Sequence, residues 1–148
     1  MQSSAQGVWR LRCDGGARGN PGPAAYGFVL SDAGGREVEA RGEFLGPVTN
    51  NVAEYRGLIA GLEAAVAHGV QALEVAMDSE LVVRQMTGEY RVKNEGLKPL
   101  HAKARGIAMG IPKLKFTAVR REDNVRADQL VNETLDRIQG IQKSESPR

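Results

Sequence analysis

Trp9-Arg10-Leu11-Arg12-Cys13-Asp14-Gly15-Gly16-Ala17-Arg18-Gly19-Asn20-Pro21-Gly22 reads as a β-strand that ends on a carboxylate and runs at once into a glycine-rich turn. Alternation puts Trp9, Leu11 and Cys13 on one face, and Arg10, Arg12 and Asp14 on the other. Asp14 thus closes the strand on its less apolar face, beside backbone with little side-chain bulk, where a bulky polyanion can approach closely. A lone Asp-Gly is also an ordinary turn signal. The choice between turn and site depends on whether other segments bring carboxylates to the same place.

A second strand, about Ala24 to Ser31, and a third, about Arg36 to Leu45, flank the turn Asp32-Ala-Gly-Gly35, so the first three strands form an antiparallel meander. Pro47 and Thr49-Asn50-Asn51 stop the third strand and cap a long helix reaching His68, with Gly69 as its stop. Tyr55, Leu58, Ile59, Leu62 and Val66 recur at helical spacing and face the sheet. The fourth strand, Gln71 to Asp78, repeats the first: Leu73, Val75 and Met77 on one face, an aspartate at its end. A strand reached through a helix lies parallel to its neighbour. If strands one and four are that pair, Asp14 and Asp78 end side by side.

A short helix from Ser79 to Thr87 follows, then another from about Gly96 to Met109. Pro112 opens a fifth strand, and a last helix runs from Asp123 or Asn124 to about Gln139. The order β-β-β-α-β-α-α-β-α implies an α/β fold with a mixed five-stranded sheet, three antiparallel strands plus parallel ones, flanked by helices. One domain over residues 1–140 is expected, with 141–148 a frayed polar tail.

The 148-residue chain carries a net charge of +2, too small to announce a polyanion partner. From Gly96 to Arg121, however, Lys98, Lys103, Arg105, Lys113, Lys115, Arg120 and Arg121 stand without an acid, which suits either a solvated face or nucleic-acid contact. With Cys13 as the only cysteine, no disulfide forms within the chain, and a reducing, cytoplasmic setting is expected. Neither a signal peptide nor a membrane span is read, and a monomer is expected.

Two further acids join Asp14 and Asp78. Glu54 lies in the first turn of the long helix, where acids favour the helix dipole. Asp128 shares a helix face with Val131 and Leu135, an apolar stripe on which a bare charge is costly. Four carboxylates from separate elements repel one another unless a divalent cation neutralises them. Oxygen-only ligation without Cys or His favours magnesium or manganese.

Asp14-Gly-Gly-x-x-Gly-Asn20-Pro-Gly-Pro-x-x-Tyr-Gly, Thr49-Asn-Asn-x-Ala-Glu54-Tyr, Asp78-Ser79 and Arg121-Glu-x-Asn124-x-x-Ala-Asp128 together resemble ribonuclease H type 1, in its compact form, from Trp9 to about Asp136. The resemblance implies the ribonuclease H-like fold. It also implies an endonuclease that hydrolyses the RNA strand of RNA/DNA hybrids with two Mg2+ ions, or Mn2+, leaving 3′-hydroxyl and 5′-phosphate ends. Asp14, Glu54, Asp78 and Asp128 match the family's catalytic, metal-binding acids. Gly15, Asn20, Asn50, Asn51 and Ser79 match substrate-binding positions. An Asn both donates to and accepts from a ribose 2′-hydroxyl or a base edge; helix capping is a second use for Asn50 and Asn51. Thr49 and Asn94 match a pocket for a phosphate of the DNA strand. Pro47 stands where many relatives have an arginine, which shifts that grip toward Arg91 or Lys93.

Two departures follow. Residues 88–95 are too short for the basic protrusion of some relatives. Arg120-Arg121-Glu122 replaces a mobile histidine, so Arg121 and Glu122 are the auxiliary candidates, while His68 and His101 read as structural or solvent-facing. The competing function is a catalytically silent binding domain for RNA/DNA hybrid or double-stranded RNA. A proofreading exonuclease needs a second acid two residues after the first, where this chain has Gly16.

Overall fold

The computed structural model describes residues 7–145. Its strands are β1 (Val8–Ala17), β2 (Gly22–Ser31), β3 (Glu37–Val48), β4 (Ala72–Met77) and β5 (Lys113–Ala118). Helix α1 (Asn50–Ala67) joins β3 to β4, α2 (Glu80–Thr87) and α3 (Lys98–Ala108) join β4 to β5, and a 3₁₀ turn (Arg121–Asp123) leads into α4 (Val125–Glu145). The sheet order is β3-β2-β1-β4-β5. β1 pairs antiparallel with β2 and parallel with β4, and β4 pairs parallel with β5. The mixed sheet and the β1–β4 pairing are those the residue pattern predicts.

β2 is buried at every residue from Ala24 to Ser31, because it lies mid-sheet with α1 against one face and α4 against the other. The main core, built on Trp9, Leu11, Phe28, Leu30, Tyr55, Leu58 and Leu62, fills the α1 side. On the opposite face a smaller cluster joins Ala25 of β2 to Val131 and Leu135 of α4. α4 lies close to the sheet there: a Cβ at Gly27 would come within 2.7 Å of the Ala127 carbonyl oxygen. That close approach lowers Asp128 toward the ends of β1 and β4.

Four expectations need correction. β1 does not stop at Asp14 but continues through Gly15 and Gly16 to Ala17, because β2 goes on pairing with it as far as Ala17↔Ala24. Pro47 does not end β3, which extends to Val48; β3 is an edge strand, where a missing N–H costs no ladder bond. Val66 is not a core residue and is 45% exposed, while Ala65 is fully buried. The step from Leu62 to the core is therefore three residues, not four. α4 runs past Gln139 to Glu145, and residues 146–148 of the expected polar tail lie outside the described residues. Among the described residues no helix is long and apolar enough to cross a membrane.

Candidate active site

The parallel register makes the site. β1 and β4 pair from Val8↔Ala72 up to Cys13↔Met77, so Asp14 and Asp78 are the next residues on adjacent strands. Glu54 arrives from α1 past its first turn, not within it as the sequence suggests, because the N-cap is Thr49, whose hydroxyl accepts from Val52 N at 3.3 Å. α1 presses hard against β1 here: a Cβ on Gly15 would fall 2.3 Å from the Ala53 carbonyl carbon and 2.4 Å from Glu54 N. Only glycine permits that approach. Gly15 N then donates to Glu54 Oε1 at 2.5 Å.

Asp14, Glu54 and Asp78 each offer a carboxylate oxygen, all within 4.8 Å of one another. Asp14 and Glu54 are buried, 6% and 8% exposed, which makes their shared charge expensive. Burial, then the charges of Glu54 and Asp78, drive the Asp14 carboxyl far above the usual carboxylate range, and hydrogen bonding with Glu54 and Asp128 adds to the rise. Burial also raises Glu54, as does the charge of Asp78, against the opposing hydrogen bonds from Asp14, Gly15 and Ser79. The donor set is hard oxygen, which fits a divalent cation such as Mg2+ or Mn2+ and not a thiophilic one. Asp128, the fourth expected acid, stands outside the group of three but lines the same cleft.

That open cleft, about 470 Å³, is walled by Gly15, Gly16, Ala17 and Arg18 of the β1 end, Asn50 and Asn51 of α1, Ser79, Arg121, Asp128 and Asn132. Neither Asn50 nor Asn51 is the cap that the sequence suggests, since Thr49 takes that place; instead Asn50 Oδ1 accepts from Ala17 N at 2.7 Å, and its own N–H donates to Asn20 Oδ1 at 2.9 Å. Asn20 is exposed, holds the first residue of α1 through that bond and is not among the residues that line the cleft. Ser79 caps α2 through Val82 N at 3.3 Å and stands in the cleft as well. Arg121 Nε lies 3.7 Å from Asp78 Oδ2 with the side chain 81% exposed. Glu122 is exposed, pairs with Arg120 at 3.4 Å and is not among the residues that line the cleft. Thr49 and Asn94 do not line the cleft; Asn94 Oδ1 accepts from Gly96 N at 2.8 Å in a local turn. Neither histidine enters. His68 stacks near Trp9 at 5.8 Å between ring centroids, and His101 meets the Gln85 carbonyl at 3.1 Å.

Sequence reading left three residues of this neighbourhood without a role. Asn124, completely buried, donates to Asp78 Oδ1 and to the Cys13 carbonyl. Asn132 donates to Asp128 Oδ2 at 3.2 Å; the i, i+4 spacing on one helix was the available signal. Arg18 at the rim pairs with Asp136 at 2.7 Å, a link between distant segments that no local pattern marks.

Comparison with known proteins places this geometry in a family. The reverse transcriptase-like family matches residues 12–134. Ribonuclease HI of Halobacterium salinarum is 45% identical over 123 residues, covering 83% of this chain and 62% of the relative. A bifunctional protein of Mycobacterium tuberculosis is 46% identical over 127 residues, and the aligned part is 35% of that relative's length. Among solved structures, LC11-RNase H1 in complex with an RNA/DNA hybrid superposes with a TM-score of 0.84 at 46% identity, over 88% of this chain and 98% of that one. With the sheet order, the neighbouring acids Asp14 within β1 and Asp78 just past β4 and these matches in agreement, the chain belongs to the ribonuclease H type 1 family.

Proposed function

We propose that the protein is a metal-dependent endonuclease that hydrolyses the RNA strand of RNA/DNA hybrids, leaving 3′-hydroxyl and 5′-phosphate ends. The observation that carries the reading is the convergence of Asp14, Glu54 and Asp78 oxygens within 4.8 Å at the floor of an open cleft. Buried carboxylates so close are unfavourable by themselves, and a binding module has no use for them.

Asp14, Glu54, Asp78 and Asp128 would hold two Mg2+ ions, with Mn2+ as a substitute. Bound there, the ions supply charge for the scissile phosphate and a nucleophilic water at neutral pH. The chain's own contribution is positional. Gly15 N fixes one oxygen of Glu54, and a cation or a ribose 2′-hydroxyl would replace the hydrogen bonds that Glu54 makes with Asp14 and Ser79. The Oδ1 of Asn50 is occupied by Ala17 N, so its amide nitrogen remains to donate toward substrate, and Asn51 beside it supplies both a donor and an acceptor. Ribose 2′-hydroxyls facing these groups distinguish RNA from DNA at the cut strand. Arg121, exposed at the mouth and near Asp78, is the auxiliary group for phosphate charge. Glu122, the other auxiliary candidate, is exposed and pairs with Arg120, and it remains part of this proposal on the family motif alone.

The DNA-strand grip assigned to Thr49 and Asn94, with Arg91 or Lys93, rests on the family motif. A reducing, cytoplasmic setting suits a thiol that is free and buried, Cys13, and a monomer is part of the same proposal. The test is digestion of an end-labelled hybrid with Mg2+, Mn2+ or chelator and analysis of the fragment ends. Fragments with 3′-hydroxyl and 5′-phosphate ends, formed only with metal, support the reading. Fragments with 2′,3′-cyclic phosphate, or cutting in chelator, overturn it.

A further inference from the structure

We propose that Asn124 is the positioning residue that sets the acidic centre, above all the orientation of Asp78; this rests on the metal-dependent reading above. Asn124 is completely buried. Its Nδ2 donates to the Cys13 carbonyl at 2.8 Å and to Asp78 Oδ1 at 3.1 Å. Its own main-chain carbonyl accepts from Asp128 N at 3.2 Å. One residue therefore joins β1 at the position before Asp14, the end of β4 that carries Asp78, and the first turn of α4 that carries Asp128. Glu54 reaches the cluster by a separate bond, from Gly15.

The chemistry fixes which way the amide points. Its two partners, a peptide carbonyl and a carboxylate, only accept, so the nitrogen must face them; the reversed amide would set oxygen against oxygen. In that orientation Asn124 Oδ1 is buried without a hydrogen-bond partner. What the arrangement achieves is control of one carboxylate: Asp78 Oδ1 is pinned by a buried donor, while Oδ2 stays with the cleft-lining Arg121. Without the amide, Asp78 is free to rotate about its side-chain bonds, and β1, β4 and α4 lose their common fastening point. Outer donors of this kind orient the groups that bind metal, and their loss weakens metal binding or activity.

The test uses the full chain and Mn2+ alone, measured by titration calorimetry, alongside hybrid cleavage kinetics. Asn124→Leu keeps the branching and the number of heavy side-chain atoms, in a somewhat larger side chain, and removes the donor; Leu97→Ala, a core truncation in the α3 region, serves as the control for lost stability. The expected result is Mn2+ binding weakened on the order of 10- to 100-fold by Asn124→Leu. Turnover falls with it, while KM for the hybrid changes by less than about threefold. Leu97→Ala lowers the Tm without moving the Mn2+ affinity. If Asn124→Leu does not fold, Asn124→Ser, whose short hydroxyl cannot keep both bonds, is read against the same criteria. An Asn124 variant with Mn2+ affinity within about twofold of wild type would overturn the proposal. Wild type that binds no Mn2+ would instead overturn the metal-centre reading beneath it, so the two failures are distinct.

Discussion

Replacing Asp14 by asparagine is expected to stabilise the protein in the absence of divalent metal, by an amount that grows with pH. Asp14 is 6% exposed and shares its space with Glu54 and Asp78, and burial with these charges raises its folded-state pKa. A carboxyl whose pKa is raised on folding contributes its stability below the unfolded value, near 3.9, and loses it as pH rises toward the folded value. Each pH unit spent in that window costs about 1.4 kcal/mol, so the ceiling at pH 7 is about 4 kcal/mol. Glu54 is also raised and shares the buried proton, which brings the expected effect to about 2 kcal/mol. For a domain of this length that is a Tm increase of about 4–8 °C. The assay is thermal unfolding by circular dichroism in EDTA, wild type beside Asp14→Asn, from pH 4 to pH 8. The two curves should nearly coincide at pH 4 and separate steadily above it. Saturating Mg2+ should close the gap, because the ion stabilises only the protein that binds it. A difference that is independent of pH, or an asparagine variant less stable than wild type at pH 7 in EDTA, would refute the electrostatic reasoning.

Gly15→Ala forces a methyl group into the backbone of α1 at Ala53 and Glu54, with a loss of about 3–5 kcal/mol expected in urea unfolding; a loss below 1 kcal/mol would mean the helix moves away easily. Asn50→Ala removes the bond to Ala17 N and should cost about 1 kcal/mol, while narrowing the preference for hybrid over double-stranded DNA in a competition cleavage assay. An unchanged preference would remove Asn50 from substrate recognition. Val66→Ser, on the exposed side of α1, should shift stability by no more than about 0.5 kcal/mol, whereas a loss of several kcal/mol would return Val66 to the core.

The parallel pairing of β1 with β4, and with it the neighbourhood of Asp14 and Asp78, was legible because both strands share one alternation and one terminal residue type, and because a helix lies between them. Helix faces were legible through Leu58 and Leu62, but the following step to Ala65 in place of Val66 was not. The choice between three and four residues depends on where α1 passes over the sheet. The glycines after Asp14 read as a turn, since nothing local says that β2 continues to pair with them; that is a property of the partner strand. Pro47 misled for the same reason, because only sheet order reveals that β3 is an edge. In the site, acids could be found by their cost on apolar faces, as with Asp128. Asn124 could not, since a polar residue before a helix already has a sufficient local explanation as a cap. Its bonds to Cys13 and Asp78 span 111 and 46 residues, and hydrogen bonds of that separation leave no periodic trace.

The most direct test of the central claim is cleavage of an end-labelled RNA/DNA hybrid beside matched RNA/RNA, DNA/DNA and single-stranded RNA, by wild type and Asp14→Asn, with Mg2+ and with chelator. Cutting confined to the RNA strand of the hybrid, dependent on the metal and absent from a folded Asp14→Asn protein, is the predicted result. Tight hybrid binding without cutting by wild type, or cutting that survives in Asp14→Asn, would contradict it.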